Sequence, residues 1–90
     1  MTRSDLDWRW LKSFLAVADA GGMHAAASAG ASSQPTLSRH IQQLEESLNV
    51  SLFHRSGRAL TLTTDGAALY ERACEVRAAV LSFERQASGL

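Results

Sequence analysis

Leu37, Ile41, Leu44 and Leu48 recur in steps of four, three and four. Only an α-helix turns that spacing into a single apolar stripe. Projected at about 100° per residue, Pro35, Arg39, Gln42 and Glu46 fall opposite the stripe. Ser38 flanks them on one side, and Thr36 and Gln43 on the other. The stretch "SSQP" supplies a start. Ser33 caps the helix, and Gln34 and Pro35 occupy its first turn, where a missing N–H costs nothing. Asn49 suits a left-handed C-cap. The sequence therefore predicts a helix over 33–48 with a core stripe and a polar outer face. What packs around that helix decides the fold.

Upstream, "LDWRWLKSFLAVADA" carries Leu11, Phe14, Leu15 and Ala18 at helical spacing, with Trp8 and Trp10 widening the apolar surface. Asp7 is its N-cap, Leu6 and Leu11 stand at the positions of a hydrophobic staple, and Gly21-Gly22 ends it. The alanine-rich stretch from His24 to Ala29 reads as a short helix, stopped by Gly30. Ala31-Ser32 is then a tight connection into the helix at 33–48. Downstream the period changes. Leu52-Phe53-His54 and Leu60-Thr61-Leu62 are β-prone pieces around the glycine-containing turn "RSGRA", which predicts a hairpin. From Asp65 the helical period returns and runs to about Ala87, with Thr64 or Asp65 as cap. Within it Leu69, Ala73, Val76, Val80, Phe83 and Ala87 alternate in steps of four and three. That is the seam of a helix packed along a partner helix.

Two helices joined by a short turn and followed by a β-hairpin make a winged helix-turn-helix. The fold expected is mostly α: three helices plus a hairpin wing over 1–64, then a long linker or dimerisation helix over 65–90. Ninety residues suit one domain, which buries about 60 % of its unfolded surface. The 46 % hydrophobic and 20 % charged content is globular. A single cysteine, Cys74, excludes an internal disulfide and a cysteine-rich zinc site. His24, His40 and His54 lack metal-ligand spacing. No apolar run suits a signal core or a membrane span, so a cytoplasmic protein without metal or cofactor is expected.

The net charge is zero, whereas phosphate neutralisation by Lys and Arg supplies most non-specific DNA affinity. Distribution matters more than the total. The outer face of the helix at 33–48 carries Pro35, Thr36, Ser38, Arg39, Gln42 and Gln43 with no acid until Glu45 and Glu46 at its far end. Arg55 and Arg58 lie in the hairpin, and no acid occurs from Val50 to Thr64. These side-chain types suit base edges. Arg donates a bidentate pair to guanine, Gln matches adenine, Ser and Thr bond either kind of group, and Pro or the Thr methyl can touch a thymine methyl. A helix entering the groove by its N-terminus leaves Glu45 and Glu46 outside. An exposed helix face is more usually built from Glu and Lys, and Lys is absent here.

The strings "FLAVADAGG", "SQPTLSRHIQQLEESLNVSLFHR" and "GRALTLTTDG" resemble the N-terminal DNA-binding region of LysR-type transcriptional regulators, from about Asp7 to the end of the last helix. The resemblance implies a winged helix-turn-helix, a linker helix that pairs antiparallel to form a homodimer, and a tetramer in a full-length protein. It implies that Ser33, Gln34, Pro35, Thr36, Ser38 and Arg39, and more weakly Gln42 and Gln43, contact the major groove of double-stranded DNA and its adjacent phosphates. Arg55 and Arg58 would be wing contacts to backbone or minor groove, within a wing over 54–61. A small-molecule effector would act only through a domain absent from this chain, which reads as an isolated DNA-binding fragment. Five positions depart from the family pattern. Gly30 stands where Leu is usual and Ser32 where Val or Ile is usual, both expected as core positions. Met23 replaces Phe, and His24 replaces a hydroxyl residue. His40 replaces a frequent Gln and is placed between the core stripe and the outer face.

Ser28, Ser33 and Ser38 have no His-Asp arrangement that marks a nucleophile. No phosphate loop or carboxylate pair is present, so no enzyme is expected. Cys74 reads as a small apolar filler, and Trp8 and Trp10 as core or dimer packing. The competing reading is a dimerising protein-interaction module on a winged-helix scaffold that does not read DNA, motivated by the zero net charge and by Gly30 and Ser32.

Overall fold

The computed structural model describes residues 5–57 and 59–90. Arg58 lies outside the described residues. Four helices and one hairpin follow in the order α1 (Trp8–Ala20), α2 (Met23–Ser28), α3 (Gln34–Leu48), β1 (Phe53–Ser56), β2 (Ala59–Leu62) and α4 (Thr64–Ser88). This is the winged helix-turn-helix with a long last helix that the residue spacing predicts.

α1, α3 and α4 each start where a side chain takes up a stranded N–H. Asp7 accepts from the Arg9 N–H at 2.9 Å, Ser33 from that of Thr36 at 3.3 Å and Thr63 from that of Gly66 at 2.8 Å. The cap of α4 is thus Thr63, one residue before the expected Thr64 or Asp65, and Asp65 sits in the first turn. Thr63 suits this place because its hydroxyl also donates to the Ser51 carbonyl at 2.6 Å, tying the helix start to the start of the hairpin. Gly21 and Asn49 close α1 and α3 in the left-handed conformation, at φ 84° and 55°.

α2 spans Met23–Ser28 rather than His24–Ala29. Gly30 is not a core position. It is exposed, at φ 90°, where its N–H donates to Ala27 while the Ala31 N–H reaches back to Ala26. This is a left-handed helix ending that favours glycine, so a leucine side chain here would be strained rather than buried. Ser32 is half-buried beside it.

Phe14, Leu15, Val17, Leu37, Ile41, Leu44 and Leu52 form the centre of the core. α1 packs on α2, α3 and α4 and so crosses the middle of the domain. Phe14 meets the edge of Phe53 at 5.6 Å between ring centres and that of Tyr70 at 6.4 Å, which locks α1 against both wing and α4. Three of the four stripe residues of α3 are buried. Leu48 is the exception at 39 % exposed, lining an apolar cleft with Leu6, Leu69 and Val76. The strands pair antiparallel in the register Phe53–Leu62 to Ser56–Ala59. Gly57, just after β1, takes φ 61°, a left-handed conformation that glycine adopts without strain.

Candidate nucleic-acid interface

The cap at Ser33 and the buried stripe of α3 fix which way its polar residues point. Ser33, Gln34, Pro35, Ser38, Arg39, Gln42 and Gln43 are exposed, and Thr36 is half-buried. Among the described residues, the side chains of Gln34, Ser38, Arg39, Gln42, Gln43 and Arg55 take part in no hydrogen bond or ion pair within the chain. Ser33 differs. Its hydroxyl donates to Thr36 Oγ1 at 2.9 Å while its oxygen caps the helix, so it positions the tip of α3. Thr36 keeps its own hydroxyl proton to donate.

The wing lies beside this face. Gln34 and Arg55 share a cleft of about 410 Å³ with Met23, His24, Gly57 and Leu60. The structure therefore brings Arg55 to the flank of α3 on which Gln34 and Ser38 stand.

The acids are used elsewhere. Arg9 pairs with Asp7 at 2.8 Å, Arg72 with Glu75 at 3.2 Å and Arg77 with Asp19 at 3.0 Å. Those pairs neutralise cations of α1 and α4, while among the described residues Arg39 and Arg55 have no carboxylate partner. A chain of zero net charge thereby shows a neutral-to-basic reading face over the first turns of α3, with exposed Glu46 confined to its far end. Glu45 is turned from that face altogether. Its carboxylate accepts the Leu52 N–H at 2.7 Å and fastens the end of α3 to the hairpin. Sequence reasoning left this residue merely outside the groove, and its reach of seven residues along the chain gives no periodic signal.

Two further contacts were not legible in the sequence. The Tyr70 hydroxyl donates to Asp19, which also accepts from Arg77. The bond to Tyr70, then Arg77, holds the Asp19 carboxyl below its usual range, and the same bond pushes the phenol up to about 12. Behind α3, His40 Nδ1 lies 2.7 Å from the hydroxyl of buried Ser13 on α1. Burial first, then Arg39 and Arg9, lowers the pKa of His40 below its ordinary 6.5, against the pull of Asp7. The unfolded chain then binds the proton more readily than the folded one. This contribution to stability is present above pH 6.5 and is lost as pH falls through the lowered folded value. Urea unfolding between pH 7.5 and 5 is expected to show that loss, and His40→Gln to flatten it. Asp7, held at about 2 by its bonds to Arg9, acts only in a separate window below its ordinary 3.8.

Residues 8–67 match the family model described as "Bacterial regulatory helix-turn-helix protein, lysR family". The HTH-type transcriptional regulator TcbR of Pseudomonas sp. (strain P51) is 47 % identical over 68 residues, which are 76 % of this chain and 23 % of TcbR. BudR of Klebsiella aerogenes, also an HTH-type transcriptional regulator, is 42 % identical over 73 residues, 81 % of this chain and 51 % of BudR. This chain thus spans at most about half the length of either curated relative. Among solved structures, the CbnR_DBD–DNA complex superposes with TM-score 0.81 at 41 % identity, covering 93 % of this chain and 98 % of that one. The BenM_DBD/benA site 1 DNA complex gives 0.84 at 31 % identity, covering 92 % and 96 %. Fold, exposed α3 face and matched residues agree, and this chain belongs to the lysR family of bacterial regulatory helix-turn-helix proteins.

Proposed function

We propose that the chain reads DNA sequence as one half of a dimeric cytoplasmic transcription regulator, with 1–64 as reading unit and 65–90 as linker. One observation carries this reading: α3 holds out Gln34, Ser38, Arg39, Gln42 and Gln43, all without partners among the described residues, on a face whose only acid, Glu46, stands at the far end of the helix. Such donors and acceptors left in water do nothing for the fold, but they match base edges and phosphates. Gln34, Pro35, Thr36, Ser38 and Arg39 are the major-groove set, Gln42 and Gln43 its edge, and Arg55 and Arg58 the wing contacts. Likeness to two domains solved with DNA supports the assignment. A tetramer and an effector-binding domain belong to the proposal for a longer protein, in keeping with the greater length of the relatives.

Selection of bound duplexes from a random pool, followed by affinity against salt, tests it. A preferred sequence and a steep negative slope of log K on log salt are expected. Arg39→Ala is expected to cost about 1–3 kcal/mol on the selected site and to relax one base position. A flat salt response with no selected sequence would leave the interaction-module reading in its place.

A further inference from the structure

A second cleft, of about 390 Å³, opens on the side of α3 away from the wing. Arg9, Lys12 and Ser13 of α1, Ser32 of the turn and His40 of α3 line it. In helical projection His40 falls on the same flank of α3 as Thr36 and Gln43, whereas Gln34 and Ser38 fall on the flank toward the wing cleft. The reading helix therefore has a cleft carrying polar side chains on each side.

That placement has a consequence for a helix lying in DNA. The major groove is about 12 Å wide and a helix with its side chains about 10–12 Å across, so each flank of the helix faces one of the two phosphate backbones. The wing cleft, with Arg55, serves one. The α1 cleft holds donors for the other. Lys12 is exposed and forms no ion pair among the described residues. Arg9 also lines the cleft but is joined to Asp7, so that pair brings no net charge and Lys12 carries the attraction. Glu84 of α4 lines a neighbouring cleft with Lys12 without an ion pair between them. The Ser13 hydroxyl occupies His40 Nδ1 and fixes the ring, leaving Nε2 for a ligand. Ser32 adds a hydroxyl where an aliphatic residue would have closed the cleft.

We propose that this cleft takes a phosphate of the DNA strand opposite the one met by the wing, with Lys12 as its charged contact and Ser32 and His40 as hydrogen-bonding neighbours. The inference rests on the DNA-reading function proposed above. It makes α1 part of the footprint, held from the second strand, and gives the two departures clustered there, Ser32 and His40, a common use beside Ser13.

The test uses a duplex selected by the protein itself. Lys12→Gln is expected to reduce the slope of log K on log salt by about one, with the order of preferred sequences unchanged. Lys12→Arg should keep the slope. Replacing single phosphates by neutral methylphosphonates should then reveal one position, on the strand not contacted by Arg55, that weakens the wild type and no longer affects Lys12→Gln. Unfolding midpoints of both variants should match the wild type, since Lys12 is exposed. An unchanged slope and an unchanged methylphosphonate profile overturn this inference and leave DNA reading intact. A shift in base preference overturns it as well, because Lys12 would then read a base. A wild type that selects no sequence and shows no salt slope overturns the underlying function, and the inference with it.

Discussion

Gly66→Ala is expected to destabilise the domain by about 3 kcal/mol or more, at the upper end of overpacking costs, and to lower its melting temperature by about 12 °C or more. A Cβ on Gly66 would lie 2.0 Å from the Leu52 carbonyl oxygen and 2.9 Å from its carbon. Neither atom can retreat. The Leu52 oxygen accepts the Thr63 N–H at 3.0 Å, its own N–H is held by Glu45 at 2.7 Å, and its side chain is wholly buried. Relief therefore means lifting the first turn of α4, which breaks the Thr63 cap and separates Leu69 and Ala73 from the core. Against a total of about 5–15 kcal/mol for a small domain, that is a large fraction. Urea denaturation measures it. Gly89→Ala is the control, since the nearest atoms there lie at 3.6 Å, an ordinary contact, and its effect should stay within about 0.5 kcal/mol. A Gly66→Ala variant as stable as the wild type would mean that α4 does not cross the hairpin this closely.

The sequence foretold where α4 runs but not why residue 66 is glycine. Helix period is a local signal, carried by residues three and four apart, and it exposed α1, α3, α4 and the stripe of α3. The glycine at 66 answers to a backbone fourteen residues away, for which no periodicity exists. The same distinction separates the site residues. Arg39, Gln42 and Ser38 were legible because a helical projection fixes their side of α3 once Leu37, Ile41 and Leu44 are taken as core. Glu45, Ser13 and Lys12 were not, because their roles depend on which element comes to lie beside them. Gly30 misled for a related reason. Its place in the family pattern suggested a core residue, whereas the backbone there turns left-handed and points no side chain inward.

The seam along α4 shows how one periodic pattern can serve two surfaces. Leu69 is half-buried and Ala73 only 3 % exposed, both packed on the chain's own core, while Val76 and Phe83 are 41 % and 76 % exposed. Local spacing cannot divide a seam in this way, since the division is set by where the domain ends against the helix. In the dimer proposed above, a second copy would offer the exposed part a partner. If two α4 helices pair antiparallel about Val76, Phe83 of one copy lies opposite Leu69 of the other, at the mouth of the apolar cleft of about 190 Å³ lined by Leu6, Leu11, Leu48, Leu69 and Val76. Burying a phenylalanine side chain contributes about 1.5–3 kcal/mol, and the two-fold axis buries two of them. Phe83→Ser is therefore expected to weaken the dimer by about 3–6 kcal/mol, a roughly 100-fold or greater rise in dissociation constant. Phe83→Leu should keep most of the affinity. Sedimentation equilibrium over a range of concentrations reads both. Because Phe83 is so exposed in the single chain, neither variant should shift the unfolding of the monomer, so a fall in dimer affinity cannot be mistaken for a loss of fold. Equal dimer affinity for Phe83→Ser and the wild type would exclude this face of α4 as the interface, and a wild type that stays monomeric at high concentration would exclude dimerisation of this chain.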